Sequence, residues 1–545
     1  MNFPRLTHHL LIGVISLGFI LFPGDAKQEE KKDSLSVDPG RYGGIYRVPL
    51  NGNPPSLDPA YVKDQFGETL VHQLFDGLVQ FSPYLMVMPA LAETWQVEEQ
   101  GRAYRFLLRK NARFHNGKPV TVEDVIYSIS RLLRIDPPPV ILPHLLKISG
   151  ARDYKNHKSD KVEGLQSSNE HVLVVKLEEP HTPFLTALGM YQAKIIPKAE
   201  ATRPGNRFGQ NPVGSGPFRF VSWEENQVIR LGRFSDYYAG PSFLDRIHYR
   251  IYPGVGYEKI VADFKKGLLE EMPVYGNIRQ ELLPEKELQW FHRPSLSLFF
   301  YGMNLKHPLL RHPELRKALS MAIDRQKLVT QIYKDQFEIA RTILPPGMPG
   351  YQPQNQKVVY DLSLARNNLR RALGENPDSM PTLEIVSGSK SAFAKAELNL
   401  VREWWAQLGV SIKIKYITDW TEFEAYLRSE SVQIYRYAWF ADMPDPDSFL
   451  YSLFAPDSSV NFMRYQSKDV DRMLLKARRI VDPVKRAKMY QQIEALVLKS
   501  SPMIPLFYLS IDRVYQPTVG GVQPSALGAH TMSLHRVWLK TPTKR

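Results

Sequence analysis

The stretch from Leu74 to Arg131 constrains the fold more than any other part of this chain. A helix end at Leu74-Phe75 gives way to a short apolar strand and then to Pro89-Ala90-Leu91-Ala92-Glu93-Thr94-Trp95. A hairpin follows, then an Arg113-Phe114-His115-Asn116-Gly117 turn. Thr121 opens a helix. Its hydroxyl can accept from the Asp124 amide while the Asp124 carboxylate reaches back to the start, which is a capping box. Val122, Val125, Ile126, Ile129, Leu132 and Leu133 then recur at helical spacing and give one apolar face. Asp136-Pro137-Pro138-Pro139 stops that helix. Helix and strand signals both run through this stretch, and a mixed α/β protein is expected.

The rest of the chain repeats this grammar. Gly43-Gly44-Ile45-Tyr46-Arg47-Val48 reads as an opening strand, broken by Asn53-Pro54-Pro55-Ser56-Leu57-Asp58-Pro59. His171–Leu177 and Phe218–Trp223 read as strands, the second preceded by Gly214-Ser215-Gly216-Pro217. Pro313 suits a first helical turn, with Leu315, Ala318, Leu319, Ala322 and Ile323 as the buried stripe. A helix running to Leu408 is stopped by Gly409. Val410, Ile412, Ile414 and Tyr416 alternate with Ser411, Lys413 and Lys415 as a half-exposed strand. Val432–Phe440 and Pro502–Phe507 are further strands.

Length and composition bound the function. At 545 residues the chain needs two or three cores. The 42 prolines suit a protein rich in loops and turns. The net charge of +14 is spread along the sequence, with clusters no longer than Arg370-Arg371 and Arg478-Arg479. No basic stripe forms, so no nucleic-acid partner is expected. There are 0 cysteines, which excludes disulfides, thiolate metal sites and cysteine nucleophiles. At the N-terminus, Arg5 with His8 and His9 precedes an apolar run from Leu10 to Phe22, and Pro23-Gly24-Asp25-Ala26 offers a cut after Ala26. That run is short of the ~20 residues a membrane span needs. Residues 1–26 are therefore expected to be an export signal, with an uncleaved anchor as the alternative, and residues 27–40 a disordered lead-in.

No catalytic set appears. Gly117-Lys118-Pro119 lacks the upstream glycine and the hydroxyl of a phosphate loop. Gly214-Ser215-Gly216 has the wrong spacing for a nucleophile elbow. The 14 histidines never take metalloprotease spacing. His307 and His312 read as solvated, and His115 as structural within its turn. The expectation is no enzyme, no catalytic residues, no metal and no cofactor.

These segments, in this order, resemble the peptide/nickel class of extracytoplasmic solute-binding proteins that feed ABC importers. The resemblance runs from about Arg41 to Leu509. It includes the Pro89–Trp95 and Arg113–Gly117 segments, the Gly214–Phe218 turn with Ser215 where the family has Thr, and Arg316–Arg325. It departs at Phe234-Ser235, where the family usually has Asn-Pro. The resemblance implies a two-lobed periplasmic-binding-protein fold with a hinge and an extra inserted small domain. Residues 41–60, 181–267 and 506–545 would form the base of lobe 1, residues 61–180 its inserted domain, and residues 268–505 lobe 2. The chain would cross between lobes near Glu270–Pro273 and Ile504–Phe507. It implies capture of short peptides in the interlobe cleft and delivery to permease subunits in the inner membrane, by a periplasmic monomer. Without a cysteine there is no lipid-modified N-terminus, which also favours the periplasm. Another cargo (a nickel chelate, an oligosaccharide, a haem-like molecule) and a peptide sensor or chaperone are the alternatives.

The candidate site lies in Tyr435–Leu450. In the family's oligopeptide- and dipeptide-binding members, a Trp-x-x-Asp carries the aspartate that pairs with the ligand α-amino group. Trp439-Phe440-Ala441-Asp442 is similar, so the resemblance gives Asp442 that role. A ligand ammonium cannot be buried unpaired, and a carboxylate at a strand end supplies a charge-assisted hydrogen bond. Ala438 and its neighbours would lend backbone groups to an extended ligand, and Tyr437, Trp439 and Phe440 would wall its apolar parts. The competing readings are a turn aspartate for Asp442 and core packing for Trp439. Asp445-Pro446-Asp447 reads as loop-shaping.

Overall fold

The computed structural model describes residues 42–205, 207–254, 256–353, 359–374 and 382–540. The expected export signal and lead-in, residues 1–40, lie outside them. Three hydrophobic bodies organise the described chain, each built on its own sheet.

The first is the base. Ile45–Leu50 lies parallel to Arg246–Ile251, and Val228–Arg233 and Phe218–Glu224 continue the sheet in antiparallel fashion. Alternate side chains, Tyr46 and Val48 on one strand and Ile247 and Tyr249 on its partner, point to one face and build the core. Helix Gln65–Leu74 covers that face with Leu70, Val71 and Leu74. The Asp64 carboxylate caps it by accepting from the Phe66 and Gly67 amides, each at 2.9 Å. Val519, Met532, Leu534 and Val537 close the same core from the C-terminal end. The range 61–180 expected for the small domain thus takes in a helix whose buried face belongs to the base.

The small body is an antiparallel sheet in the order Ala92–Glu98, Ala103–Leu108, Val172–Lys176, Leu165–Asn169. Helix Val122–Leu132 packs on it through Val125, Ile129 and Leu132. The capping box is present: Asp124 donates its amide to the Thr121 hydroxyl at 3.2 Å, and the Thr121 amide donates to the Asp124 carboxylate at 3.1 Å. His115 ties this body to the base. Its Nδ1 accepts from the Gly214 amide at 3.1 Å, so Nε2 carries the proton and donates to the Gly216 carbonyl at 3.0 Å. Burial pushes its pKa down to about 4, which keeps the ring neutral for that double duty. Gly214 and Gly216 are required there, since a Cβ at either would strike the backbone carbonyls of Leu74 and Gln73.

The large body is a six-stranded mixed sheet in the order Glu338–Ile339, Met503–Tyr508, Ser297–Met303, Ile434–Phe440, Leu383–Ser387, Ile412–Tyr416. Ser297–Met303 is buried along its whole length. Leu298 and Phe300 enter the core on one face, and Phe299, Tyr301 and Met303 the core on the other. Helix Ala392–Ala406 ends as expected. Gly409 sits at φ +80°, the Gly409 amide donates to Ala406 O at 2.9 Å, and the Val410 amide reaches Trp405 O at 3.0 Å, which is a Schellman turn.

The chain passes between base and large body at places the sequence did not indicate. Glu271–Pro273 pairs with Ser510–Tyr515 and Gln289–Pro294 in a small three-stranded sheet beside the base. Glu270 is held there by Arg47, with Arg47 Nε 3.0 Å from its carboxylate. Ile504–Phe507 lies inside the six-stranded sheet. The two passages are instead Ser295–Leu296 and Leu509, side by side. The Ser295 amide donates to Leu509 O at 2.7 Å, the Leu509 amide to Ser297 Oγ at 3.1 Å, and the two serine hydroxyls are 2.7 Å apart. Expected crossings at Glu270–Pro273 and Ile504–Phe507 were each displaced because strand pairing continues through those residues.

Candidate functional site

Strand Ile434–Phe440 is paired with Ser297–Met303 along its full length, but Leu383–Ser387 pairs with it only as far as Arg436. From Tyr437 to Phe440 the edge on that side carries no strand partner among the described residues. The backbone groups there face a cavity of about 1240 Å³ that Gly388, Ser389, Tyr437, Ala438 and Trp439 help to wall. A second cavity of about 690 Å³ lies against the base and is walled by Glu68, Asp76, Lys194, Tyr237 and His530. The two adjoin: Lys63, Val140, Met190, Phe440 and Asp442 line both. They form one cleft bordered by all three bodies, with Asp442 at its waist.

The loop after the strand is fixed by its own side chains. Trp439 donates its indole N–H to Ser448 O at 2.7 Å, and the Asp442 amide donates to Ser448 Oγ at 3.3 Å. Asp445 takes two hydrogen bonds from Arg486, at 2.6 and 2.8 Å, and Asp447 two from Arg478, both at 2.8 Å. Burial pushes Asp447 up, but Arg478 outweighs it and holds the carboxyl below the usual range. These two aspartates shape the loop, as the sequence suggested. Asp442 differs. Its carboxylate has no hydrogen bond or ion pair among the described residues and is exposed to the cleft. Surrounding protein, and then the Glu68 charge, push its pKa up to about 6, although water in the cleft screens part of that effect.

All five residues singled out from the sequence, Tyr437, Ala438, Trp439, Phe440 and Asp442, line the cleft. They do so unequally. Alternation along the strand puts Tyr437 and Trp439 on one face and Ala438 and Phe440 on the other. Tyr437 is only 8% exposed and packs among Phe300, Trp420, Phe423 and Phe462, so most of its ring is core. Trp439 spends its N–H on the loop and offers a partly covered face. Phe440 is 50% exposed where the two cavities meet. Arg436 is bound to the buried Glu397, with Nε and Nη2 at 2.9 and 3.0 Å, and is not a free cation for a ligand carboxylate.

Sequence reasoning missed the base side of the cleft. Asp76 accepts from the Tyr237 hydroxyl at 2.9 Å, and Glu68 lies 3.5 Å from both His72 and His530. Burial lowers the pKa of both histidines, so they sit as neutral rings. Lys194 is buried with them. One signal was legible: a lone lysine in the mostly apolar segment Met190–Pro197.

With this geometry in place, the chain matches the family model of bacterial extracellular solute-binding proteins, family 5 (middle), over residues 86–461. It belongs to that family. It is 26% identical over 502 residues to di/tripeptide-binding protein 2 of Pseudomonas aeruginosa, covering 88% of this chain and 92% of that protein. It is 25% identical over 482 residues to haem-binding protein A of Haemophilus influenzae, covering 84% and 85%. The periplasmic binding protein DppA of Helicobacter pylori, solved in complex with the peptide STSA, shares the fold with a TM-score of 0.74 at 23% identity, covering 92% of this chain and 99% of that one. Among the described residues no helix is long and apolar enough to cross a membrane.

Proposed function

We propose that this protein is the periplasmic receptor subunit of an ABC importer, that it captures short peptides with a free amino terminus, and that it hands them to permease subunits in the inner membrane. One observation carries the reading. Asp442 is an unpaired carboxylate at the waist of the cleft, two residues beyond a strand edge with open backbone groups. A peptide has the two matching features, a terminal ammonium and an extended backbone that can add to that edge. Backbone pairing ignores side-chain identity, so the tolerance for sequence is broad. Relatives named for di/tripeptides support the cargo class; the relative named for haem supplies the competing one.

The test is native mass spectrometry of protein purified from its own host, followed by calorimetry with free and N-acetylated trialanine. A co-purifying series of short peptides, and loss of affinity on acetylation, is the expected result. A tetrapyrrole or another non-peptide mass, with equal binding of both peptides, would refute it.

A further inference from the structure

The cavity against the base holds a group that the packing of the fold leaves unanswered. Lys194 is 5% exposed and lines that cavity. Its ammonium has no hydrogen bond and no carboxylate within 4 Å among the described residues. Asp76 and Glu68 act on it only at longer range, and burial lowers its pKa. A buried cation without a direct partner is costly, and a donor that faces a cavity is completed by whatever enters it. Glu68 stands in the same cavity, on helix Gln65–Leu74 of the base. Its near neighbours are the rings of His72 and His530, each 3.5 Å away; burial pushes its pKa up, and His530 and Lys194 offset part of that rise. Asp442 reaches the cavity from the large body.

We propose that Lys194 and Glu68 complete the head-group site that Asp442 begins: the ligand ammonium lies between the Asp442 and Glu68 carboxylates, and Lys194 donates to an oxygen of the same ligand residue. This rests on the peptide reading and deepens it. Two like charges on opposing walls repel until a cation sits between them, so the ammonium satisfies both walls at once. Lysine suits the other task because its compact ammonium serves a single acceptor rather than a planar bidentate one. The acceptor is the carbonyl or the acidic side chain of the first ligand residue, two sources of one chemistry.

The experiment compares wild type, Lys194→Met and Glu68→Gln, each stripped of co-purified ligand, by calorimetry with Ala-Ala-Ala, Glu-Ala-Ala and N-acetylated Ala-Ala-Ala. Lys194→Met is expected to weaken peptide binding by about tenfold or more. An equal loss for both free peptides assigns the oxygen to the backbone, and a loss confined to Glu-Ala-Ala assigns it to the side chain; either supports the site. Glu68→Gln is expected to weaken the free peptides and leave the acetylated one unchanged. The melting temperature of ligand-free Lys194→Met is expected to hold or rise, since a lone buried charge is removed. A fall in that temperature would assign Lys194 to the fold and overturn its ligand role. Unchanged affinities in a variant overturn that residue's role while the peptide reading stands. Wild type that binds none of the three peptides overturns both.

Discussion

Asp442 is the proposed partner of the ligand ammonium, and its behaviour with pH tests that role. Its folded-state pKa of about 6 lies above the roughly 4 of an unfolded aspartate. The folded chain therefore holds this proton more tightly, and the group's contribution to ligand-free stability rises as pH falls from 7 toward 4. Ligand binding runs the other way, because an ammonium needs the ionised carboxylate. Affinity for trialanine is expected to be about tenfold weaker at pH 5 than at pH 7, a titration that Asp442→Asn should flatten. Calorimetry across that range checks it; parallel pH profiles for the two proteins would exclude Asp442 as the ammonium partner. At pH 7, Asp442→Asn should cost about 2–5 kcal/mol, or roughly 30-fold or more in affinity, because one partner of a desolvated pair is lost. The place of Asp442 in the cleft was legible through the resemblance carried by Trp439-Phe440-Ala441-Asp442. Glu68 gave no signal and Lys194 only that of a lone lysine, since both share a cavity with Asp442 only through long-range packing that no local spacing encodes.

At the scale of elements, local signals held and long-range ones did not. The Thr121 capping box, the Pro313 start and the Gly409 stop lie where the sequence put them, because caps are decided within a few residues. Thr121→Ala is expected to lower stability by about 1 kcal/mol in urea denaturation. Strand neighbours were not legible. Alternation shows that Ile412–Tyr416 is half-exposed, yet says nothing of its place at the sheet's end beside Leu383–Ser387. Tyr437 shows the same limit, since an aromatic on a cleft strand can face ligand or core, and here Phe423 and Phe462 take most of it. The loop that presents Asp442 depends on pairs distant in sequence. Arg486→Met would leave Asp445 buried without its partner and should cost about 3–5 kcal/mol, measured by chemical denaturation. A loss below 1 kcal/mol would mean the loop keeps its shape by backbone bonds alone.

For the whole molecule, the cleft bordered by separate bodies implies a change of shape with occupancy. The small and large bodies already touch: Thr182, two residues before Phe184 of the small body's core, donates its amide to Arg478 O at 2.7 Å and its hydroxyl to Ile480 O at 2.9 Å. A ligand that bridges both walls favours the arrangement with such contacts made. Stripped protein is expected to show a larger radius of gyration in small-angle scattering than protein saturated with trialanine. Identical profiles would point to a rigid binder. The side-by-side passages at Ser295–Leu296 and Leu509 have a different consequence, one for heredity and engineering. A block of sequence that enters and leaves through adjacent positions can be exchanged as a cassette without rethreading the remainder. Grafting residues 296–509 from a relative with another cargo would replace the wall that carries Asp442 and keep the wall that carries Lys194, so new specificities in such a family can arise one half-cleft at a time.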